Sequence, residues 1–227
     1  ESSRFTFEAF YKKYNNYPIS FVDGVSIANK GAGFEVLGNE RILTEGKGKS
    51  YGLEFLYQQK LKNNFYGILS YTFFYSKFSG FDNIFLPSVW DNRHLFSFTG
   101  GYKLKKNWEV SSKIRFTGKT PYAPVNLNLS NQSYPEIILD YSELGNYFLD
   151  HFTKLDLRID KRWNFKSTSM NFYIDIENLL MSEIPKPPDY GLQRDENQNI
   201  LNPRNLIEIL SENQSSLIPS IGFVFDF

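Results

Sequence analysis

Cysteine is absent from the 227 residues, histidine occurs twice, and 25 acidic side chains offset 25 basic ones. Without cysteine there are no disulfides and no thiolate metal ligands, a composition compatible with a cell envelope that avoids stray disulfides. The balanced charge, with a pI of about 7.0, points to neither nucleic acid nor an anionic membrane surface as partner. No apolar run approaches about 18 residues, and the mean hydropathy is −0.41, which excludes a helical membrane protein. A membrane barrel is not excluded, because half of each barrel strand faces a polar lumen and dilutes the average. The first residues carry neither the basic nor the apolar segment of a secretory leader, so a mature product or a fragment is expected.

Aromatic residues are abundant: 22 Phe and 15 Tyr, and they recur with period two. In RHLFSFTGGYKLKKNWEVSSKIRFTG, residues 93–118, one face takes His94, Phe96, Phe98, Tyr102 and Leu104, and the other Ser97, Thr99, Lys103 and Lys105. The alternation resumes with Trp108, Val110, Ile114 and Phe116 against Glu109, Ser111, Lys113, Arg115 and Thr117. Residues 4–13, 50–61, 65–77, 154–163, 169–178 and 217–227 repeat the pattern, the polar face of 65–77 being the least clean. Eight strands of roughly ten residues are predicted, the length that crosses a bilayer when tilted.

Connections alternate in length. Short polar turns fall near Lys62 to Asn64, Lys105 to Asn107 and Asn164 to Ser167, and long connections fill 15–49, 79–92, 119–152 and 181–216. Within the last of these, NLIEIL at 205–210 is predicted as a short helix. A soluble sandwich would also alternate, but the aromatic faces, the Trp90, Trp108 and Trp163 positions near strand ends and the mixed charges opposite favour a barrel wall. The expected fold is all-β, a transmembrane antiparallel barrel forming a single unit over 1–227, with the Phe96 side toward lipid.

The inner face gathers charge. Lys154, Asp156, Arg158, Asp160 and Arg162 alternate in sign, with Asp175 and Glu177 on the following strand and Glu109, Lys113 and Arg115 on the preceding one. Such a row is either a self-compensating ion-pair ladder or a wall that docks a plug and guides solute. No constellation suggests catalysis. His94 and His151 lie far apart, and GKGKS at 46–50 lacks the phosphate-loop spacing. No enzyme activity, cofactor or metal is expected.

Three segments resemble the TonB-dependent outer-membrane receptors, particularly those of Bacteroidetes-type bacteria: GKGKSYGLEF at 46–55, WDNRHLFSFTGGYKLKKNWEVSSKIRFTGKTPYAP at 90–124, and IDIENLL at 174–180 with the terminal SIGFVFDF. The resemblance covers most of 46–227. It implies an outer-membrane protein in which these strands are the C-terminal part of a larger barrel of about 22 strands around a plug. The implied function is energised nutrient uptake, with outer-membrane lipid, the remaining strands and plug, the TonB energising complex acting through the plug, and a surface-exposed protein as partners. Members of the family bind sugars, peptides, vitamin B12 and ferric chelates, and nothing in this sequence separates these. Nothing here matches the plug, so a fragment or one chain of a split receptor is expected. The alternatives are a receptor-like scaffold that has lost transport and an autonomous eight-stranded structural or adhesion barrel.

In such a receptor the long loops carry specificity. Tyr122, Asn126, Asn128, Tyr134, Tyr141, Tyr190 and Arg194 are the candidate contacts. Phe223, Phe225 and Phe227 resemble the signal by which assembly machinery recognises a barrel's last strand, and serve equally as lipid-facing side chains.

Overall fold

The computed structural model describes residues 2–33, 36–209 and 215–227. Its strands are β1 (Ser3–Ser20), β2 (Ile42–Lys62), β3 (Phe65–Ser79), β4 (Phe85–Pro87), β5 (His94–Lys103), β6 (Trp108–Thr117), β7 (Phe152–Asn164), β8 (Ser169–Glu177), β9 (Asp189–Leu192), β10 (Leu206–Ile209) and β11 (Ile218–Asp226). One short helix, α1 (Leu127–Ser133), stands in the connection after β6. Eight strands form a continuous antiparallel sheet in the order β1-β2-β3-β5-β6-β7-β8-β11, with β4 attached to β3. No helix among the described residues is long and apolar enough to cross a membrane.

The turns at one end are tight because their residues accept left-handed backbone. Asn63 and Asn64, at φ 51° and 69°, join β2 to β3, and Lys106 and Asn107, at 59° and 57°, help join β5 to β6. Asparagine tolerates this region better than most side chains, and paired positive φ matches the twist of a hairpin. Between β7 and β8 the Phe165 amide donates to the Thr168 carbonyl at 2.8 Å.

At the other end the structure corrects several expectations. The first three strands are 18, 21 and 15 residues long, not about ten, so they continue past the length a bilayer needs. Much of 15–49, expected as loop, is strand: the β1–β2 pairing runs on through Tyr17 with Gly46 to Ser20 with Ile42, across two register shifts. NLIEIL is not helical in its described part. Leu206–Ile209 is β10, paired with β9 through Glu208 opposite Tyr190 and Ile207 opposite Gly191; Leu210 lies outside the described residues. Its partner lies across residues 193–205 of the same connection, beyond the reach of local periodicity, and β-branched Ile207 and Ile209 fit a pleated pairing.

Register aligns the apolar side chains across the whole sheet. Phe5, Tyr57, Leu69, Phe98, Ile114 and Leu155 form one row. Another, two rows nearer the turns, consists of Phe65, Tyr102, Val110, Ile159, Ile174 and Ile221. This face is uncovered: Phe5 and Phe7 are each 60% exposed and Ile221 68%. The buried apolar residues, among them Ile19, Phe78, Val89, Leu144, Leu149 and Leu206, sit instead at the loop end, where the connections pack on one another. A soluble single sheet would not leave so large an apolar face open to water, whereas lipid is its natural cover. The packed core therefore lies beneath the loops, and the sheet itself is a membrane wall.

At the turn end of that face Lys161 sits between two tryptophans. Its Nζ lies 5.3 Å from the Trp108 ring and 5.5 Å from the Trp163 ring, and it donates to the Lys106 carbonyl. An aromatic pair with a lysine reaching back to polar backbone is the expected chemistry of a membrane interface. Trp90 stands in the connection at the opposite end and is exposed. The wall is open. Among the described residues β1 does not pair with β11, and the outer edges of both strands lack a partner strand.

Candidate functional site

The inner face of the sheet carries a continuous polar network. Arg158 grips Asp160 with two parallel bonds, Nε to Oδ2 and Nη2 to Oδ1, both 2.9 Å. Asn171 on β8 adds a bond to the same Oδ1 at 2.8 Å. The guanidinium lies 3.9 Å from the Tyr173 ring, with Asp175 at 3.8 Å. Gly222 makes room for this stack, since a Cβ there would stand 2.3 Å from Tyr173 Cζ. Tyr66 donates to Glu109 across the sheet.

Nearer the loops Lys154 bridges Asp156 at 3.5 Å and Glu177 at 3.0 Å, and Arg115 lies 3.8 Å from Asp156. Toward the turns Arg162 donates to Ser169 Oγ at 2.8 Å and approaches Asp226 at 3.4 Å. Of the ten inner-face residues singled out from sequence, nine are thus tied into ion pairs or hydrogen bonds. Lys113 has no ion pair among the described residues. Two grooves follow the network, one of about 570 Å³ beside Tyr66, Arg158 and Asp226 and one of about 310 Å³ beside Lys113, Asp156 and Asp175. Asn171 and Tyr173 share the parity of Asp175 and Glu177 but were not among the residues singled out from sequence, and neither was Tyr66 in the least regular strand.

A double-mutant cycle measures the central pair. Arg158 is about one-third exposed, so solvent screening leaves an expected coupling with Asp160 of about 1 kcal/mol. Unfolding midpoints of the full receptor carrying Arg158→Gln, Asp160→Asn and both should show it; additive single effects would reject the coupling.

A clip at the loop end joins β3, β5 and β6. Asp91 is buried, its Oδ1 3.0 Å from Arg93 Nε. Arg93, at φ 66°, also lies 3.9 Å from the Tyr75 ring, and its carbonyl accepts from Phe74 N at 2.9 Å. Burial raises the Asp91 pKa, and the positive charge of Arg93 opposes that rise. Asn92 Nδ2 donates to Thr120 Oγ1 at 2.5 Å, and Gly118 N to the His94 carbonyl at 2.8 Å. His94 Nδ1 is 2.7 Å from the Tyr71 hydroxyl on the outer face. The segments WDNRH and GKTPY are therefore two halves of one fastening, and it sets the direction in which the chain runs on to Tyr122.

Above the wall the loops enclose a pocket of about 470 Å³, within the usual range of small-molecule sites. Tyr122, Tyr141, Tyr147 and Tyr190 supply its aromatic lining. Tyr122 and Tyr147 meet edge to face with centroids 6.1 Å apart. Burial raises the pKa of Tyr122, helped by Tyr190 and Glu208, and that of Tyr190, helped by Glu208 and Tyr147. Both phenols stay neutral at physiological pH.

The loop residues singled out from sequence divide into two groups. Tyr122, Tyr141 and Tyr190 line the pocket. Asn126 instead caps α1 by accepting from Leu129 N at 3.1 Å, and Asn128 lies within that helix. Tyr134 faces Arg204, whose guanidinium is 6.0 Å from its ring, and Arg194 donates to the Gln198 carbonyl at 2.7 Å. Tyr147 was missed, because nothing local distinguishes it from other loop tyrosines. Phe223 and Phe225 lie on the outer face of β11, Phe223 4.9 Å from Phe172, and Phe227 follows the strand fully exposed.

Comparison with known proteins fits this geometry. A model of the family described as TonB dependent receptor-like, beta-barrel, matches residues 1–179. The match begins well before the segments that carried the resemblance, and the terminal SIGFVFDF lies outside it. No curated protein matches the sequence. Among solved structures, the ferripyoverdine receptor of the outer membrane of Pseudomonas aeruginosa, bound to ferripyoverdine, superposes with a TM-score of 0.53 at 15% identity. The superposition covers 90% of this chain and 24% of that one, so the present chain spans about a quarter of that receptor's length. At this identity the likeness is one of fold.

Proposed function

The chain belongs to the TonB-dependent receptor β-barrel family, and on that premise we propose that it is a single wall segment of an outer-membrane receptor that takes up a nutrient by energised transport. The observation that carries this is the open eight-stranded wall, aromatic outside and ion-paired inside, with an unpartnered edge on each side. Further strands of the receptor complete the barrel along those edges. The charged inner face meets the plug, through which the TonB complex acts, and the tyrosine-lined pocket docks the ligand from outside.

An autonomous eight-stranded barrel would need β1 to pair with β11, a pairing absent among the described residues. A scaffold that has lost transport shares the geometry and differs only in flux. Outer-membrane fractions should therefore contain peptides of residues 93–118 in a species several-fold heavier than 26.5 kDa, and ligand uptake through it should stop when TonB is removed. A species of 26.5 kDa with no companion would reject the receptor reading. A heavy species without TonB-dependent uptake would leave the scaffold.

A further inference from the structure

We propose that the outer-loop pocket takes a ligand through an alkylammonium or guanidinium group. This rests on the reading of the pocket as the receptor's docking site and adds the charge of what docks there.

Two lysines and two carboxylates line the pocket: Lys30, Lys186, Asp189 and Glu208. Lys30 is held between Asp23 at 2.7 Å and Glu40 at 3.1 Å, and its Nζ lies 5.8 Å from the Tyr141 ring. Lys186 is neutralised by Asp189 at 2.6 Å. Glu208 is exposed and has no ion pair among the described residues. Both cations are therefore spent, one of them on two acids, while one anion is left over. The local field is negative.

The position of Glu208 gives that field a target. Its partner across the β9–β10 pairing is Tyr190, whose phenol it perturbs together with that of Tyr122. Tyr147 completes the aromatic group by its contact with Tyr122. Several tyrosine rings beside an unpaired carboxylate form a cage for a cation: the ring faces attract the positive charge, and the carboxylate neutralises it. An anionic ligand would meet Glu208 with no free lysine to answer it. A neutral ligand could donate hydrogen bonds to the carboxylate but would leave its charge uncompensated. Tyr122 and Tyr190 stay protonated, so they offer the ligand neutral ring faces and the negative charge comes from Glu208.

The test is equilibrium binding of three capped tripeptides, Ala-Arg-Ala, Ala-Gln-Ala and Ala-Glu-Ala, to the full-length receptor in detergent. The arginine peptide should bind at least tenfold more tightly than the glutamine peptide. Glu208→Gln should erase that difference, and Glu208→Lys should shift the preference to the glutamate peptide. Because Glu208 is exposed, neither substitution disturbs packing. The inference is overturned if the arginine and glutamine peptides bind alike, if none binds, or if the preference survives Glu208→Gln. Equal binding that Tyr190→Ala abolishes would overturn the charge preference while keeping the pocket as docking site, and failure of TonB-dependent uptake is read separately.

Discussion

Leu157→Arg should destabilise the assembled receptor by about 2–4 kcal/mol, the cost of an arginine on the lipid face of a barrel near the bilayer midplane. Leu157 faces outward on β7, opposite Ile176 of β8, and stands six positions before the interfacial Trp163. Six residues span about 20 Å along a strand, or about 15 Å along the membrane normal at a tilt near 40°, which is half the hydrocarbon thickness. The arginine's polar neighbour across the β6 pairing is Ser112, a neutral hydroxyl that leaves the guanidinium charge unpaired.

Ile68→Arg is the control. Ile68 lies on the inner face between Gln58 and Thr99, where an arginine meets polar side chains, so its effect should stay within about 0.5 kcal/mol. Urea unfolding of the full receptor in vesicles compares the two. Equal costs would mean that the apolar face is not the lipid face, and the reading of the wall would fall with it.

The sidedness under test was legible in the sequence because it depends only on period two. A strand's two faces are fixed by parity, and Phe96, Phe98, Ile114 and Phe116 lie in register as their spacing required. The tight turns were legible for a similar local reason, since each is a short polar stretch between two alternating segments, and the adjacent Asn63 and Asn64 accept positive φ. What could not be read was anything set by distant pairing. The upper halves of β1 and β2 contain Gly46, Gly48 and Asn15, which suggest a loop, yet each strand supplies the other's hydrogen bonds. The β9–β10 pairing joins two short segments across residues 193–205, a span that local periodicity does not bridge, and without it neither the placement of Glu208 beside Tyr190 nor the pocket follows.

The candidate sites divide along the same line. The inner-wall charges were found because they share one strand face, and their neighbours on β6 and β8 share the parity. Of the loop residues, Tyr122, Tyr141 and Tyr190 reach a common pocket, while Asn126 caps a helix that local sequence did not announce. Loop side chains are positioned by the packing beneath them, and that packing is long-range.

Gly118→Ala bears on how the two levels are joined. A Cβ at this position would stand 2.2 Å from the Asn92 carbonyl oxygen, closer than any real contact, and the obstacle is backbone that a rotamer change cannot move. The β5 and β6 ends must separate, which strains the Gly118 N to His94 O bond and draws Thr120 from Asn92. Overpacking of this kind costs about 1–3 kcal/mol, and a broken hydrogen bond about 1 more, giving an expected loss of about 2–4 kcal/mol. Unlike Leu157→Arg, the damage should propagate upward. Tyr122 follows the clip by two residues, and the Leu149 amide donates to the Thr120 carbonyl at 2.8 Å, so Tyr122 and Tyr147 lose their common anchor. Ligand affinity should fall with stability in Gly118→Ala, whereas Leu157→Arg, in the protein that still assembles, should leave affinity unchanged. If Gly118→Ala lowers the unfolding midpoint but binds ligand as before, the clip fastens strands without positioning the pocket, and the loops hold their tyrosines by their own packing.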